Sequence, residues 1–477
     1  MPVFLPVRSA GAAGGLESPP LAVVTPADVL RSPRARFESQ LRLFDAGPLV
    51  RLRTPGFCFW FTHDAAMAHH VLVENAASYD KPASYDVLKI ITGEGLLTVK
   101  EARWRQQRRL VQHAFRPRAM ASYAAVMEEE AQAAAELWEQ EAEAGTAVDI
   151  AAEMTRLTLA IVSRALLGVD FSREAAAVGS ALTLAMQHAN NLLFSPFAVP
   201  SRWPTPGNRR AARAIAELHG TVDALIQARR RAPKASDLLG ELIGSRDEAT
   251  GATLSDEELR DQTLTLFLAG YEPTANSLSW AFWLLAQHEA VAAAVAEEAQ
   301  TVLAGRPPRV EDLPRLPLLG RVFSEALRLY PPAWSVGREA LADDRLGPYH
   351  VPKGSIVGVH ILGLHRNPAY YRRPDAFDPE HFSPEAVLAR PRHAYMPFGA
   401  GPRVCIGQHF ALQEGLLILA TLAARFRLRL TGRRVAPELT LVLKPDGPVW
   451  AHLERRVSSR RSGSVRRIAA RAAGDEP

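Results

Sequence analysis

The longest periodic segment of the sequence runs from Ser255 to about His288 and constrains the fold more than any other feature. Ser255 and Glu258 form the S-x-x-E pattern of a capping box, which marks the start of a helix. Apolar residues then recur at helical spacing to the end of the segment. At about 1.5 Å per residue, such a helix is about 50 Å long. A helix of this length crosses a whole domain, so we expect the other elements to pack around it.

The centre of this helix is unusual for a buried apolar segment. It reads AGYEPT from Ala269 to Thr274 and contains a glycine, a carboxylate and a proline. A glycine such as Gly270 lets a ligand approach the backbone closely. Pro273 has no N–H to donate to the carbonyl of Ala269 and is expected to kink the helix. We therefore expect a functional centre at this turn, with a kinked core helix and a buried, neutral Glu272 as the alternative.

A second strong signal is the segment FGAGPRVCIG, from Phe398 to Gly407. The chain has two cysteines, Cys58 and Cys405, and the second lies in this glycine-rich loop. An apolar helical pattern follows from Gln408, which places Cys405 at a helix N-terminus. Backbone N–H groups and the helix dipole favour a thiolate there. A thiolate is a nucleophile or a metal ligand, whereas a structural cysteine beside a glycine turn is the alternative.

The residues around Cys405 favour the metal-ligand interpretation, because glycines let the loop lie close to a large flat ligand and an arginine suits a carboxylate. Five of them match the pattern F-x-x-G-x-R-x-C-x-G: Phe398, Gly401, Arg403, Cys405 and Gly407. In this the chain resembles the cytochrome P-450 monooxygenases. The resemblance implies that the cofactor is haem b (iron protoporphyrin IX) and that Cys405 is the axial ligand of its iron.

The same resemblance assigns roles within the loop and elsewhere. It implies that Arg403 holds a haem propionate, that Phe398 shields the sulfur, and that Gly399 and Gly407 belong to the haem-binding loop.

Three more residues resemble the family's propionate contacts. Trp104 and Arg108 share a face of a predicted helix from Glu101 to Ala114 and match W-x-x-x-R, and Arg338 matches a further propionate-binding arginine. The alternatives are a solvated basic helix and a surface strand residue.

Two segments resemble the structural network behind the thiolate. Glu325 and Arg328 lie three apart on a predicted helix from Pro317 to Tyr330, match E-x-x-R and can pair bidentately. His381 stands where the family's P-x-R-F segment has its arginine. An imidazole can donate a hydrogen bond to Glu325, so we expect haem retention to fall if His381 is replaced by alanine. A histidine on a surface loop is the alternative.

The helix centre resembles the family's A-G-x-[D/E]-T-T segment, with one departure. Gly270 and Glu272 match, but Pro273 stands where the oxygen-activating threonine usually lies. Thr274 is one residue later, which rotates its side chain by about 100°. The resemblance implies that Glu272 and Thr274 are the catalytic residues. Protons would then come through ordered water, from Glu272 directly or from a substrate hydroxyl.

Composition sets broad limits on class and compartment. With 477 residues, of which 47% are hydrophobic and 22% charged, the chain can bury a large core. A net charge of +5 without interleaved aromatics does not indicate nucleic-acid binding. Two cysteines cannot form a disulfide framework, which favours a reducing compartment. Without a signal peptide or an apolar run of about 18 residues, we expect a cytoplasmic protein with no membrane anchor.

The resemblance implies a mainly α fold with a small β lobe, the cytochrome P-450 fold. Residues 1–46 are predicted to be a loosely ordered start, and residues 47–454 a single haem-thiolate monooxygenase domain with an N-terminal β lobe. Residues 455–477 form an arginine-rich tail that we predict to be disordered.

The resemblance implies a monomeric enzyme that inserts one atom of O₂ into an apolar organic substrate, such as a fatty acid, a terpenoid or a polyketide. Leu192, Phe194 and the segment 84–91 are candidates for an apolar pocket. A separate ferredoxin or flavodoxin, with its reductase, would supply electrons, and basic residues near Arg105 and Arg118 suit such acidic partners. The alternatives are a peroxide-driven peroxygenase or rearranging haem enzyme, which Pro273 favours, and a haem-binding protein without turnover.

Overall fold

The structure, a computed structural model, describes residues 19–23, 32–54, 57–168, 174–195, 199–231, 237–248, 250–432 and 434–456. Helices predominate in this part of the chain. The α-helices are α1 (Pro33–Arg42), α2 (Ala65–His69), α3 (Lys89–Thr92), α4 (Glu101–Val111), α5 (Pro117–Ala144), α6 (Ile150–Leu167), α7 (Glu174–Phe194), α8 (Pro206–Arg231), α9 (Leu238–Gly244), α10 (Asp256–Gln287), α11 (Glu289–Leu303), α12 (Pro317–Leu329), α13 (Ile361–Leu364), α14 (Pro384–Ala389) and α15 (Gln408–Leu422).

Thirteen short strands accompany these helices within the described ranges. They are β1 (Leu21–Val23), β2 (Leu49–Thr54), β3 (Phe57–Thr62), β4 (Tyr79–Asp80), β5 (Ala147–Asp149), β6 (Val336–Ala340), β7 (Asp344–Leu346), β8 (Tyr349–Val351), β9 (Ile356–Val359), β10 (Phe426–Leu430), β11 (Pro437–Leu439), β12 (Leu443–Pro445) and β13 (Trp450–Arg455). The largest sheet has the order β1-β2-β3-β9-β6-β4, and a second sheet has the order β10-β13-β5. The largest sheet, to which β1 to β4 from the first part of the chain contribute, is the small β part that the sequence predicts.

Helix α10 is the central element, as its periodicity predicts. Ser255 is its N-cap, and the capping box with Glu258 forms in both directions. Most of its residues are buried, and helices α6, α8, α12 and α15 all pack against it. An apolar helix that is buried on every side needs neighbours on every side. Because α10 crosses the whole helical part, its centre lies inside the main hydrophobic core.

The alanine-rich helical region before α10 is interrupted at two glycines. Helix α5 ends at Gly145 and helix α6 at Gly168, each in the left-handed conformation with φ of 67° and 61°. Glycine adopts this conformation at no steric cost, so it commonly follows the last turn of a helix. None of the helices in the described ranges combines the length and apolarity of a membrane crossing.

Ordered elements precede the predicted domain start at residue 47. Strand β1 pairs in parallel with β2, so that Leu21 lies opposite Arg51, and helix α1 packs against β11. Strands β2 and β3 follow and pair antiparallel, with Leu49 opposite Thr62. Residues 457–477 of the arginine-rich tail lie outside the described residues.

Candidate active site

The cysteine loop closes on itself just before α15. The N–H of Cys405 donates to the carbonyl of Phe398 at 3.0 Å, and Gly407 is the N-cap of α15. Gly399 and Gly401 both have positive φ, 73° and 71°. A Cβ on Gly401 would lie 1.8 Å from the carbonyl oxygen of Leu72, so a side chain there cannot fit without movement. Glycine at 401 therefore seats the loop against the π-helical turn at residues 70–74.

The Cys405 thiol lies on an internal wall of the protein. The residue is solvent-exposed, yet burial by the surrounding protein raises the pKa of its thiol. Both properties hold for a group that faces an internal cavity.

The sequence predicts a thiolate at this helix N-terminus, but the structure favours the neutral thiol in the absence of a bound metal. The Gly407 N–H and Arg108 do lower the pKa, but desolvation outweighs both. A metal ion that binds here must therefore displace the thiol proton.

The centre of α10 also faces an internal cavity. Ala269 is exposed although it lies in the middle of a buried helix, and its neighbours Gly270 and Glu272 are half-buried. Burial raises the pKa of the Glu272 carboxyl, and Lys444 opposes this effect. Glu272 is therefore a carboxyl group that tends to keep its proton inside the protein.

The structure gives Gly270 and Thr274 roles that the sequence does not suggest. A Cβ on Gly270 would lie 3.2 Å from Val162 of α6, so this glycine allows close helix packing. The helix continues through Pro273, and the Thr274 hydroxyl donates to the carbonyl of Gly270 at 3.2 Å. Thr274 thus bonds back to its own helix, and its nearby hydroxyl partly offsets the rise that burial causes in the pKa of the Glu414 carboxyl.

Two arginines near the cysteine loop have backbone partners. Arg108 Nη1 donates to the Val404 carbonyl at 3.0 Å, and Arg338 Nη1 donates to the carbonyl of Gly337 at 2.8 Å. Neither forms an ion pair with a carboxylate of the described residues, although burial lowers the pKa of both guanidinium groups. Arg338 is buried and Arg108 is half-buried, and guanidinium groups withdrawn from water in this way need anions. They therefore suit the two propionates of haem.

Arg403, which the resemblance assigns to a haem propionate, forms ion pairs with carboxylates of the protein itself. Its Nη2 pairs with Asp80 at 2.9 Å and with Glu101 at 2.7 Å. The guanidinium also lies 4.5 Å from the ring centre of Trp104, which is buried. The protein's own carboxylates therefore neutralise Arg403, while Trp104 packs beneath it. Arg108 and Arg338, in contrast, have only backbone carbonyl partners among the described residues.

Two charged residues of the site escape sequence reasoning. Lys81 is buried beside Arg338 and Arg403, and Glu414 is fully buried with no hydrogen-bond partner for either oxygen among the described residues. Each is a single charge in an otherwise ordinary segment. The signal that identifies them is their burial, which depends on the tertiary fold.

The E-x-x-R pair forms fully buried on α12. Arg328 Nε and Nη2 donate to the two oxygens of Glu325 at 2.7 and 2.8 Å. The remaining hydrogens of Arg328 bind carbonyls at 2.6–2.9 Å, those of His365, Pro374 and Ala376. Every strong donor of the guanidinium is thus satisfied, which a buried charge requires.

His381 joins this pair, as the sequence predicts for a residue in the position of the family's arginine. Its Nδ1 lies 3.1 Å from Glu325 Oε1, and its Nε2 lies 2.5 Å from the Arg372 carbonyl. The backbone N–H of Asp378 also donates to Glu325 Oε1, at 2.8 Å. The Glu325 carboxylate is therefore held from three sides.

Comparison with known proteins identifies the group that this arrangement suits. Residues 28–450 match the Cytochrome P-450 family. The chain is 38% identical over 82% of its length to cyclooctatin synthase of Streptomyces melanosporofaciens, of which it covers 85%. It is 35% identical over 80% of its length to cyclooctat-9-en-7-ol 5-monooxygenase of the same organism, of which it covers 83%.

A solved structure is similar across nearly the whole chain. The crystal structure of the cytochrome P450DA heme domain superposes with a TM-score of 0.82 and 28% identity, covering 95% of this chain and 98% of the other.

The residues of the site fit haem on physical grounds as well. Three features are the contacts that an iron porphyrin with two propionates needs. They are an internally exposed thiol, an exposed turn of α10, and two guanidinium groups, one buried and one half-buried, without carboxylate partners in the described ranges. Bound haem supplies the iron at which O₂ is activated. The chain belongs to the cytochrome P-450 family and is a haem-thiolate monooxygenase that acts on apolar substrates.

Proposed function

We propose that this monooxygenase oxidises a terpenoid alcohol in the cytoplasm, as a monomeric enzyme with one catalytic domain over residues 47–454. The observation that carries this proposal is the similarity to cyclooctatin synthase and to cyclooctat-9-en-7-ol 5-monooxygenase, of which the second is a terpenoid oxygenase named for an alcohol substrate. Both relatives are covered over most of their length. An alcohol also suits a site with one buried carboxyl and a proline in place of the usual hydroxyl.

Apolar residues around α10 support a terpenoid-sized, hydrophobic pocket. Residues 84–91 form a 3-10 turn and the start of α3, and they pack against α7 and α10. Leu88 and Ile91 are buried, while Val87 and Ile90 are partly buried. Leu192 lines a groove between α7 and α8 rather than the core, and the side chain of Phe194 lies outside the described residues.

The proposed proton source is the Glu272 carboxyl. Burial favours its protonated form, and its place beside Ala269 and Gly270 puts it at the internal cavity. Pro273 has no hydroxyl, and the Thr274 hydroxyl is already bonded to its own helix. A hydroxyl on the substrate, or an ordered water, would therefore complete the path from Glu272 to the reacting oxygen.

The proposed electron donor is an acidic ferredoxin or flavodoxin that docks beside the cysteine loop. Helix α4 and the 3-10 turn at residues 112–115 border this loop, because Arg108 bonds to Val404 and Phe115 lies 3.9 Å from the Cβ position of Gly407. The outer side of this region exposes Arg105, Arg116 and Arg118. A basic surface next to the iron ligand favours an acidic electron carrier, both in approach rate and in orientation.

A substrate-binding comparison tests the terpenoid alcohol directly. The ferric holoenzyme is titrated with a cyclic terpenoid alcohol, with the same hydrocarbon without its hydroxyl, and with a fatty acid of equal carbon number. We expect the alcohol to bind most tightly, as measured by the spectral shift when the haem water leaves, and to yield product with a ferredoxin system. Tightest binding of the fatty acid, or product with peroxide alone, would contradict the proposal.

A charge reversal tests the docking surface. Arg118→Glu should slow reduction of the iron by ferredoxin, and the difference from wild type should shrink as salt rises. Arg213→Glu is the matched control, because Arg213 is equally exposed but lies on α8. Equal reduction rates for Arg118→Glu and Arg213→Glu would place the docking surface elsewhere.

A further inference from the structure

Lys81 is a buried base that the haem-binding motifs do not include. It follows strand β4 and is 7% exposed. Its Nζ donates to the carbonyl of Leu96 at 2.9 Å and also to the carbonyl of Leu97. No carboxylate of the described residues lies within the 4.0 Å ion-pair distance of this nitrogen. A buried ammonium without an anion is unfavourable, so the protein around Lys81 favours its neutral amine.

The neighbours of Lys81 strengthen this preference. Burial is the main cause, and the nearby charges of Arg403 and Arg338 act in the same direction, so that the pKa of Lys81 is lowered to about 6. Asp80 and Glu101 oppose this effect, but both already pair with Arg403. A neutral amine has two N–H groups, which match the two carbonyl acceptors. Protonation adds a third N–H that needs an anion.

The charged groups facing Lys81 come from four elements. They are Asp80 on β4, Glu101 on α4, Arg338 on β6 and Arg403 in the 3-10 turn at residues 401–403, and the ring of Tyr85 lies 5.8 Å away. With Arg108 included, the site has three arginines, two carboxylates and Lys81. With a neutral Lys81, the protein therefore presents one surplus positive charge. Protonated Lys81 raises the surplus to two, which balances two propionates.

We propose that Lys81 is a proton-linked haem-binding residue, which takes up one proton from solvent when haem binds and then pairs with a propionate. One N–H bond forms at Nζ, and no electron moves. This inference goes beyond the proposed substrate and partner, because it concerns the affinity of the protein for haem. It does not depend on turnover.

The proposal makes haem affinity depend on pH in a defined way. If haem-bound Lys81 keeps its proton, the affinity gained from this residue is constant below about pH 6 and falls tenfold per pH unit above it. Cys405 releases its proton when it binds iron, which has the opposite effect. That release is common to every Lys81 variant, so it cancels when two variants are compared.

Haem partition between the holoenzyme and excess apomyoglobin, measured from pH 6 to pH 9, tests the proposal. Lys81→Met removes the charge at similar length, and Lys81→Arg fixes it. Lys353→Met is the control, because Lys353 is exposed in a turn after β8. We expect the affinity of wild type relative to Lys81→Met to fall tenfold per pH unit. The ratio of Lys81→Arg to Lys81→Met should not change with pH, and Lys353→Met should match wild type.

Each possible result decides the question. A wild-type to Lys81→Met ratio that is independent of pH would overturn the proposal. If Lys81→Met holds no haem, wild type is compared with Lys81→Arg, whose ratio should show the same tenfold fall per pH unit. A flat ratio in that comparison would equally overturn it. Because substrate and electron donor are absent, this result is independent of the terpenoid alcohol proposal.

Discussion

At the scale of single residues, buried charge is the feature that this protein controls most closely. Glu325 and Arg328 have no exposed surface, and their bidentate pair is supported by carbonyls and by a backbone N–H. Removal of one partner from such a pair costs about 3–5 kcal/mol, because the other charge is left buried alone. The network therefore fixes α12 and the segment before the cysteine loop relative to each other.

His381 provides the first prediction. His381→Ala removes a donor from Glu325 Oε1 and frees the Arg372 carbonyl, so we expect a loss of about 1–3 kcal/mol in stability and a lower haem content. The measurements are haem per chain and the free energy of unfolding. His350→Ala is the control, because His350 is exposed on β8. Unchanged haem content in His381→Ala would exclude a role for this residue in the network.

Glu414 provides a prediction about pH. Burial raises the pKa of this carboxyl well above its usual value, so the folded protein holds a proton that the unfolded chain has released. Stability from this group is therefore highest below about pH 4.3, the unfolded value, and falls by up to about 1.4 kcal/mol per pH unit as pH rises towards the folded value. Glu414→Gln removes this dependence.

The measurement is the unfolding midpoint of wild type and Glu414→Gln from pH 5 to pH 8. We expect the unfolding midpoint of the variant to rise relative to that of wild type as pH rises, because glutamine stays neutral. A difference that is constant over this range would show that Glu414 is ionised in the folded protein.

Sequence reasoning finds the residues whose function depends on local spacing. Cys405 lies in a ten-residue motif, and Glu325 and Arg328 are three residues apart, so the pattern itself contains their geometry. Lys81 bonds to a carbonyl 15 positions away, and Arg403 pairs with carboxylates 323 and 302 positions away. Such contacts depend on how distant segments meet, and no local pattern contains that information.

At the scale of elements, the cysteine loop and α10 form the two sides of the site. The spacing of apolar residues and the capping box predict a helix from Ser255 to about His288. In the structure Ser255 is the N-cap of α10 and Gln287 is its last residue. The departure at Pro273 is visible in the sequence, but its consequence is not. In the structure, two hydroxyls near this turn donate hydrogen bonds to backbone carbonyls of the same helix. Thr274 donates to Gly270, and Ser277 donates to Pro273.

Two glycines of the cysteine loop provide a matched pair of substitutions. Gly401→Ala places a Cβ against the Leu72 carbonyl, whereas Gly399→Ala has nothing within 4 Å. Both positions have positive φ, so both should lose about 1–2 kcal/mol from backbone strain. We expect Gly401→Ala to lose substantially more unfolding free energy than Gly399→Ala, and to lose its haem as well. Equal losses of unfolding free energy would show that strain alone sets the glycine requirement.

Pro273 provides the prediction for α10. Pro273→Ala restores the backbone N–H donor without a hydroxyl, and Pro273→Thr restores both. Both should raise stability, by up to about 3 kcal/mol. We expect product per electron consumed to rise in Pro273→Thr alone, because only threonine adds a hydroxyl beside Glu272. Equal coupling in the two variants would mean that proton delivery does not use a hydroxyl at this position.

At the scale of the whole molecule, the helices surround α10 and the strands connect distant parts of the chain. Strand β5, between two long helices, pairs with β13 near the end of the described chain, and β3 pairs with β9. Local alternation and turn residues do not contain pairing over such separations, which follows from packing of the helical core. The fold class was therefore predictable from the sequence, whereas the sheet order was not.

The most direct test of the account is the absorption spectrum of the reduced, carbon monoxide-bound protein. We expect wild type and Cys58→Ser, which changes the other, exposed cysteine, to show the red-shifted haem band that a thiolate ligand produces. Cys405→Ser should lose this band. A wild-type protein without haem absorption after growth with excess haem precursor, or an unchanged band in Cys405→Ser, would contradict the central claim that Cys405 binds the iron.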